Sequence, residues 1–564
     1  MTTPIDWIAP VEALSWALTH RDAVPASAGA PLEELDAIQP DPEEIGHHVQ
    51  QLLGALECHA AAVALTPNGL SWLDVHRVPV HRLLIHVVRK LLRLSAWPPF
   101  AAAPGPLTGP PDQAFLGERD SGTREYRSYT VTWPGIAYLL GGPDAAGQPF
   151  PPSPRISGEH GANGPASVVA LSWSSRHAET LLPVLHDVSH RQQRSLLLDL
   201  ATDPAQRCPS IEDPRIDVRP VPPDLLNVSG GLPSPLDSGR SIRIGVHTVL
   251  LDRLIGLISR LLEHTAGSTQ LSWQATVRAE MWLEDVLDAA RPTSVLVSND
   301  VSPLGVLATR TADRMDIRTV YVQHGARIPG STGTPGLHAR HVVVMGNRDS
   351  VWASHHDAEV HVLGQPRFDA LTRESHSRHR AYLDQLFASH HGTPPERFLV
   401  WACQPFALDR LNAQAELLFE AMRAARGDWA LVIAPHPALA PQVFTPMLES
   451  AHRLKVAVAD HEVGARGCLA GADALVSVSS TCGIEAMLLG VPIIELHLPG
   501  ERTLDLAAHE AARACTNANE VAHALSELGE ASRRPRLTAT AMDSICRWDG
   551  TAAAAVAQLA LALP

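Results

Sequence analysis

The stretch Val476-Ser477-Val478-Ser479-Ser480-Thr481-Cys482-Gly483-Ile484-Glu485-Ala486 carries most of what the chain reveals about its fold. An apolar, β-branched run beginning at Ala474 stops at three hydroxyl residues, and a helical pattern opens at Cys482. The order predicted is therefore buried strand, tight turn, helix. A junction of that kind presents free backbone N–H groups and side-chain hydroxyls to one point, which suits a phosphate. Upstream, Pro435-His436-Pro437 closes another apolar run, Trp429–Ala434, with a rigidly held imidazole.

Outward from this junction the same alternation repeats in two series. Strands are predicted at Ser167–Ser172, Ser195–Leu200, Ser294–Ser298, Arg318–Gln323, His341–Met345 and Glu359–Leu363. A second set follows at Arg397–Ala402, Trp429–Ala434, Lys455–Ala459, Ala474–Val478 and Pro492–Leu496, with helices such as Leu411–Arg426 and Cys482–Leu489 between them. Short apolar runs alternating with longer amphipathic ones are the pattern of a parallel sheet covered by helices. A polar helix from about Asp369 to His391 separates the two series. The fold class expected is α/β, with two Rossmann-like domains facing a cleft, at residues 166–368 and 369–564.

Residues 1–165 read differently. Apolar residues recur at three- and four-residue intervals over Gly46–Ala62 and Val80–Trp97, predicting helices. From Pro98 to Pro165 prolines and glycines crowd together, marking a connector. This region is expected to be a helical accessory part without chemistry of its own.

Composition narrows the classes of function. A chain of 564 residues exceeds the size one core serves well, so several domains are expected. The net charge of −15, with Lys90 and Lys455 the only lysines, argues against a nucleic-acid partner or a polybasic membrane anchor. Seven scattered cysteines without a CxxC pair read as buried reduced thiols rather than a disulfide or zinc framework. With no basic-then-apolar leader and no long uninterrupted apolar run, no transmembrane segment is expected and a cytoplasmic location is.

In open α/β sheets, ligands gather beyond the carboxyl ends of strands. The residues there are Ser298-Asn299-Asp300, Gln323-His324-Gly325, Pro435-His436-Pro437 and Ser479-Ser480-Thr481. Each has a plainer reading: Asn299-Asp300 as a helix cap, Gly325 as the positive-φ residue of a turn, His436 as part of a stiff turn, the hydroxyls as caps. Their joint occurrence, in register with the strands, favours a site.

These segments, with Gly364-Gln365-Pro366-Arg367-Phe368-Asp369, Glu485-Ala486 and Gly490-Val491-Pro492, resemble the GT-B nucleotide-sugar transferases of bacterial surface-carbohydrate and capsule assembly. The resemblance extends to polysialyltransferase-like enzymes and CDP-glycerol glycerophosphotransferases, and more distantly to UDP-N-acetylglucosamine 2-epimerase. It covers about residues 290–500 well and 165–290 loosely, and does not reach the helical first region. It implies a nucleotide-sugar donor and a carbohydrate acceptor. A lipid-linked acceptor would bring peripheral membrane association.

By that resemblance His436 donates to the donor phosphate or nucleotide, and Ser479, Ser480 and Thr481 bind the phosphate. Glu485 accepts from ribose hydroxyls, and Gln323 and Gly325 belong to the donor side. No Asp-x-Asp pair stands out to hold Mg²⁺ or Mn²⁺, so transfer without metal or other cofactor is expected. The base for the acceptor hydroxyl is expected on the first α/β domain: Asp300 first, His177 second, with His324 a third catalytic candidate that positions donor or acceptor. Arg327 and Arg340 are further candidate phosphate contacts, with solvated loop arginines the plainer reading. The Ala-rich end after Cys546–Gly550 resembles a closing helix that returns to the first domain, a cap on the second being the alternative. A glycerophosphotransferase, a nucleotide-sugar 2-epimerase and a non-catalytic nucleotide-sugar-binding protein remain as alternative functions.

Overall fold

The computed structural model describes residues 38–59, 65–96, 116–119, 128–131, 136, 138–140, 165–201, 206–226, 239–264, 271–329, 337–354, 357–373, 376–406, 408–436, 439, 441–451, 453–530 and 543–562. In chain order its strands are β1 (Leu116–Arg119), β2 (Ser128–Val131), β3 (Val168–Ser172), β4 (Ser195–Asp199), β5 (Ile216–Pro220), β6 (Ser241–Ile244), β7 (His247–Leu250), β8 (Ser294–Val297) and β9 (Arg318–Val322). They continue as β10 (His341–Val344), β11 (Glu359–Val362), β12 (Arg397–Ala402), β13 (Trp429–Ala434), β14 (Val456–Val458), β15 (Ala474–Ser477), β16 (Ile493–Leu496) and β17 (Arg513–Cys515).

The first large sheet has seven parallel strands in the order β11-β10-β9-β8-β3-β4-β5. Its central strands are apolar on both faces because helices cover both, as parallel sheets require. Val169, Leu171, Val295 and Val297 point to one face, against the helices Trp273–Ala290 and Pro303–Arg314. Val168, Ala170, Leu296 and Val343 point to the other, where Ser175–His190 and the closing helix Ala552–Leu561 lie.

The second sheet repeats the plan with six parallel strands, β14-β13-β12-β15-β16-β17. Phe398, Val400 and Val432 face the side of His376–His391 and Cys482–Leu488, whereas Leu399, Trp401 and Ile433 face Leu408–Ala424 and Ala518–Glu530. Both sheets reverse their strand order at one internal point, between β3 and β8 and between β12 and β15. Each is thus a Rossmann-like domain, and the paired α/β expectation holds.

Several boundaries differ for physical reasons. The first helix runs Pro42–Glu57, starting earlier than expected because the Asp41 side chain accepts from Glu43 N and Pro42 takes the first turn. The second runs Trp72–Ala96 straight through Pro79, where the expected helix had been cut short. The edge strands β5 and β17 went unseen: β5 is partly exposed and ends in Pro220, and β17 has three residues. The segment expected as one helix from Asp369 is a 3-10 stretch, Pro366–Arg373, and then the helix His376–His391.

Most of the Pro/Gly-rich connector lies outside the described residues, but β1 and β2 within it pair antiparallel. The core of the first region is shared: Leu52, Leu84, Val88 and Leu91 pack with Ile244 and Val249 of the β6–β7 hairpin and with Leu254 and Ile258. Residues 241–264 therefore serve the helical body although they come after β5 in the chain.

The chain crosses between the α/β domains twice. On the way out Gly364, at φ +89°, brings the backbone so close to Arg547 O that an added Cβ would collide with it. On the way back Arg547 N donates to Met345 O at 2.8 Å, and Trp548 Nε1 to Phe368 O at 2.9 Å. Asp369 then accepts from Ala552 N and Ala553 N at 3.3 and 2.8 Å, capping the closing helix. That helix docks on the first domain, as the returning-helix reading has it. Gly364→Ala is expected to cost more than about 1 kcal/mol, since both φ and the space oppose a side chain. An unchanged urea midpoint for that variant would refute the strain.

Candidate functional site

Residues after β3 and β9 of the first domain meet residues after β13 and β15 of the second. Arg176, in the first turn of the helix after β3, reaches His436 after β13, with Nη1 3.5 Å from Nε2. Thr481 Oγ1, after β15, accepts from Ala326 N at 3.3 Å, in the loop after β9. Arg466 Nη1 bonds Glu179 Oε2 at 2.9 Å, joining the domains again. Pro437 lies outside the described residues.

On the first domain the rings of His177 and His324 lie 4.4 Å apart. His324 Nδ1 donates to Ser298 O at 2.6 Å, since a carbonyl can only accept, so in the neutral ring Nε2 is the lone-pair nitrogen. Burial lowers the His324 pKa to about 4, the Ser298 carbonyl opposing and Arg367 and Arg176 adding to the shift. His177 is held well below its ordinary value by burial, then by His324 and Arg176; its Nδ1 lies 3.0 Å from Ser174 Oγ and its Nε2 is buried without a partner. Burial, then Arg176 and His461, lowers His436 to about 4. At neutral pH the site therefore holds uncharged imidazoles beside charged guanidiniums.

Asp300, the first-choice base, is placed otherwise than its strand-end position suggested. It is fully buried, and its Oδ2 accepts from His338 N and Ala339 N at 2.8 and 3.0 Å. Burial raises its pKa to about 6 against the pull of those amides. The carboxylate faces the β9–β10 loop, which it pins down. Asn299 behaves as the cap reading has it, its Oδ1 accepting from Val301 N and Ser302 N at 3.3 and 3.1 Å.

Gln323 is also committed internally: Nε2 donates to Asp349 Oδ2 at 2.6 Å and Gly325 O at 3.0 Å, while Oε1 accepts from Met345 N at 2.9 Å. Gly325 has no positive φ, so the tight-turn reading of it is wrong. A Cβ there would first meet Thr481 Oγ1, at 4.0 Å. Arg327 stacks on Trp352 at 3.8 Å, and Arg340 Nε pairs with Asp313 at 2.9 Å.

The hydroxyl turn after β15 is more self-contained than expected. Ser479 N donates to Gln404 Oε1 at 2.8 Å, Ser480 N to Ser477 Oγ at 3.1 Å, and Cys482 N to Ser480 Oγ at 3.3 Å. The expectation of free backbone N–H groups is corrected for Ser479, Ser480 and Cys482, whose amides are taken, and for Gly483, whose N bonds Ser480 O at 2.9 Å. What the turn offers is hydroxyls. Gln404, after β12, fixes Ser479 from both sides, its Nε2 donating to Ser479 Oγ at 2.8 Å.

Glu485 is 2% exposed and accepts from Arg367 Nη2 at 2.8 Å, with Arg466 Nε 3.9 Å from its other oxygen. Sequence reasoning missed Arg176, Gln404 and Arg466, and left Arg367 without a role. Arg176 Nη2 and Arg367 Nε are buried without hydrogen-bond partners. These two guanidinium N–H groups thus lack acceptors, and both arginines act on the neutral His324.

No protein-family model and no curated protein sequence matches the chain. Solved structures do. A UDP-GlcNAc 2-epimerase from Neisseria meningitidis bound to UDP-GlcNAc is 12% identical, with 69% of this chain and 98% of that one covered at a TM-score of 0.43. MurG of Acinetobacter baumannii is 14% identical over 70% and 99%, TM-score 0.39. A variant of the wall teichoic acid polymerase TagF is 10% identical over 70% and 88%, TM-score 0.40. By its own geometry this chain opposes two Rossmann-like domains and returns its last helix to the first. The architecture is GT-B. Within it the first domain supplies Arg176, His177 and His324, and the second supplies Gln404, His436, Ser479–Thr481 and Glu485. Among the described residues no helix is long and apolar enough to cross a membrane.

Proposed function

We propose that this chain is a metal-independent glycosyltransferase that moves a sugar from a nucleotide-sugar donor to a surface or capsule carbohydrate acceptor. Residues 166–368 would hold the acceptor and 369–564 the donor. The observation carrying this reading is Arg176, which meets His436 from the opposite domain at 3.5 Å while its Nη2 is buried without an acceptor. A diphosphate between the domains would satisfy that donor together with Arg367 Nε and the hydroxyls of Ser480 and Thr481.

The acceptor hydroxyl would pass its proton to His324 Nε2 as its oxygen attacks the anomeric carbon. The bond from that carbon to the β-phosphate oxygen breaks, and its electron pair leaves with the nucleoside diphosphate. Guanidinium and hydroxyl donors stabilise the charge that appears on phosphate. Asp300 and Glu485 are both held in inner contacts, which favours transfer over an epimerase needing several free carboxylates at the sugar. A lipid-linked acceptor would draw the protein to a membrane surface.

A thermal-shift panel of UDP, CMP, CDP, GDP and their sugar conjugates tests the reading. One nucleoside diphosphate is expected to stabilise the fold, by about 2.7 kcal/mol at a hundredfold excess over Kd. His436→Ala should weaken that ligand about 10- to 100-fold, the worth of a hydrogen bond to a charged group. The reading is lost if no nucleotide shifts the melting curve or if His436→Ala binds as tightly as wild type. Protection by CDP-glycerol alone would point to glycerophosphate transfer, and release of free sugar without acceptor to an epimerase.

A further inference from the structure

At the free edge of the first sheet, His341, Glu359 and His361 turn their donor atoms on one point. His341 opens β10, Glu359 lies opposite it in register at the start of β11, and His361 follows two residues later. Side chains two apart on a strand share a face, so all three project together. His341 Nδ1 is 3.2 Å from His361 Nε2 and 3.4 Å from Glu359 Oε2, and His361 Nε2 is 3.6 Å from Glu359 Oε1.

An imidazole nitrogen has one in-plane direction for a proton or lone pair, so it can serve one partner well. Here each of the two nitrogens has two neighbours, the other ring and the carboxylate. A single cation at the centre gives every donor atom one bond and resolves the conflict. The spacing fits as well: zinc–nitrogen bonds of about 2.0–2.1 Å at tetrahedral angles set ligand atoms about 3.3–3.4 Å apart. The imidazoles are mostly covered, their side chains 18% and 19% exposed, whereas Glu359 is 67% exposed and leaves the solvent side open.

We propose that His341, Glu359 and His361 form a binding site for a zinc-class divalent cation, completed by water. Two imidazoles and a carboxylate are a ligand set suited to zinc. The site stands at the amino ends of β10 and β11, away from the carboxyl ends that carry the cleft, so it is a clasp and takes no part in transfer. It ties the outermost strand to its neighbour a few residues before the chain leaves for the second domain at Gly364.

The test uses the full chain, free of any polyhistidine tag and stripped with a chelator. Titration with Co²⁺, followed by its visible d–d absorption and displaced by Zn²⁺, should show one tight equivalent and a rise in melting temperature. His361→Ala and His341→Gln should each weaken that uptake by at least about 100-fold, more than loss of an outer-shell partner costs. Their melting temperatures without metal should match the stripped wild type, showing that the variants fold. Absence of a tight equivalent in wild type, or its full retention in both variants, overturns the proposal.

Discussion

Replacing His324 with alanine will lower kcat about 10²- to 10⁴-fold while leaving nucleotide affinity within a few-fold of wild type, the expected loss of a general base. The proposed role rests on tautomer and position: Nδ1 is committed to Ser298 O, so Nε2 keeps its lone pair beside the arginines of the cleft. The pH profile separates this residue from its rival. A base must be unprotonated, so kcat/KM falls as pH drops through the pKa of the free enzyme's base. That acid limb is expected near 4 for His324, whereas Asp300 would put it near 6. A limb near 6 that vanishes in Asp300→Asn would return the role to Asp300 and defeat the His324 assignment.

Arg367→Ala will be the most destabilising change among the residues of the cleft, at about 3–5 kcal/mol, because it strands a buried carboxylate. Glu485 is 2% exposed and its strongest partner is Arg367 at 2.8 Å; Arg466 at 3.9 Å is a poor substitute. Denaturation by urea, following a probe in the second domain, measures the loss. The double variant Arg367→Met with Glu485→Leu should recover much of it, since an apolar pair in the same place leaves no charge uncompensated. The exposed pair Arg191–Asp187, at 2.7 Å, serves as the control. Its removal should cost no more than about 1 kcal/mol. Equal costs for the two pairs would contradict the role given to burial.

The strands could be read from the chain where burial on both faces leaves an uninterrupted apolar run, as in Trp429–Ala434 and Arg397–Ala402. Where a strand is half-solvated at an edge, as in Ile216–Pro220, the run breaks up and the signal disappears. The hairpin Ser241–Leu250 is invisible for a different reason: its partners, such as Leu92 and Ser95, are remote in sequence. At the candidate site, strand-end positions gave the neighbourhood where Arg176 meets His436 and Thr481 meets Ala326, but not the direction of each side chain. His177, His324, His436 and Thr481 converge, whereas Asp300 and Gln323 turn inward to backbone groups that sequence cannot locate. Arg176 stood beside His177 all along. Only the facing of the two sheets distinguishes it from an ordinary helix arginine.

The double crossing between the domains governs how the cleft can move. A single tether would act as a swivel, free in every direction. Here two strands of chain are locked together, Gly364 lying against Arg547 O and Arg547 N bonding Met345 O. Any relative displacement of the domains has to accommodate those contacts, the Asp369 cap on the closing helix and the Arg466–Glu179 pair. The facing of His436 and Arg176, 3.5 Å apart, is thus carried by a doubled linkage rather than by one connecting strand. In the function proposed above, alignment of donor and acceptor would then be a property of the backbone linkage.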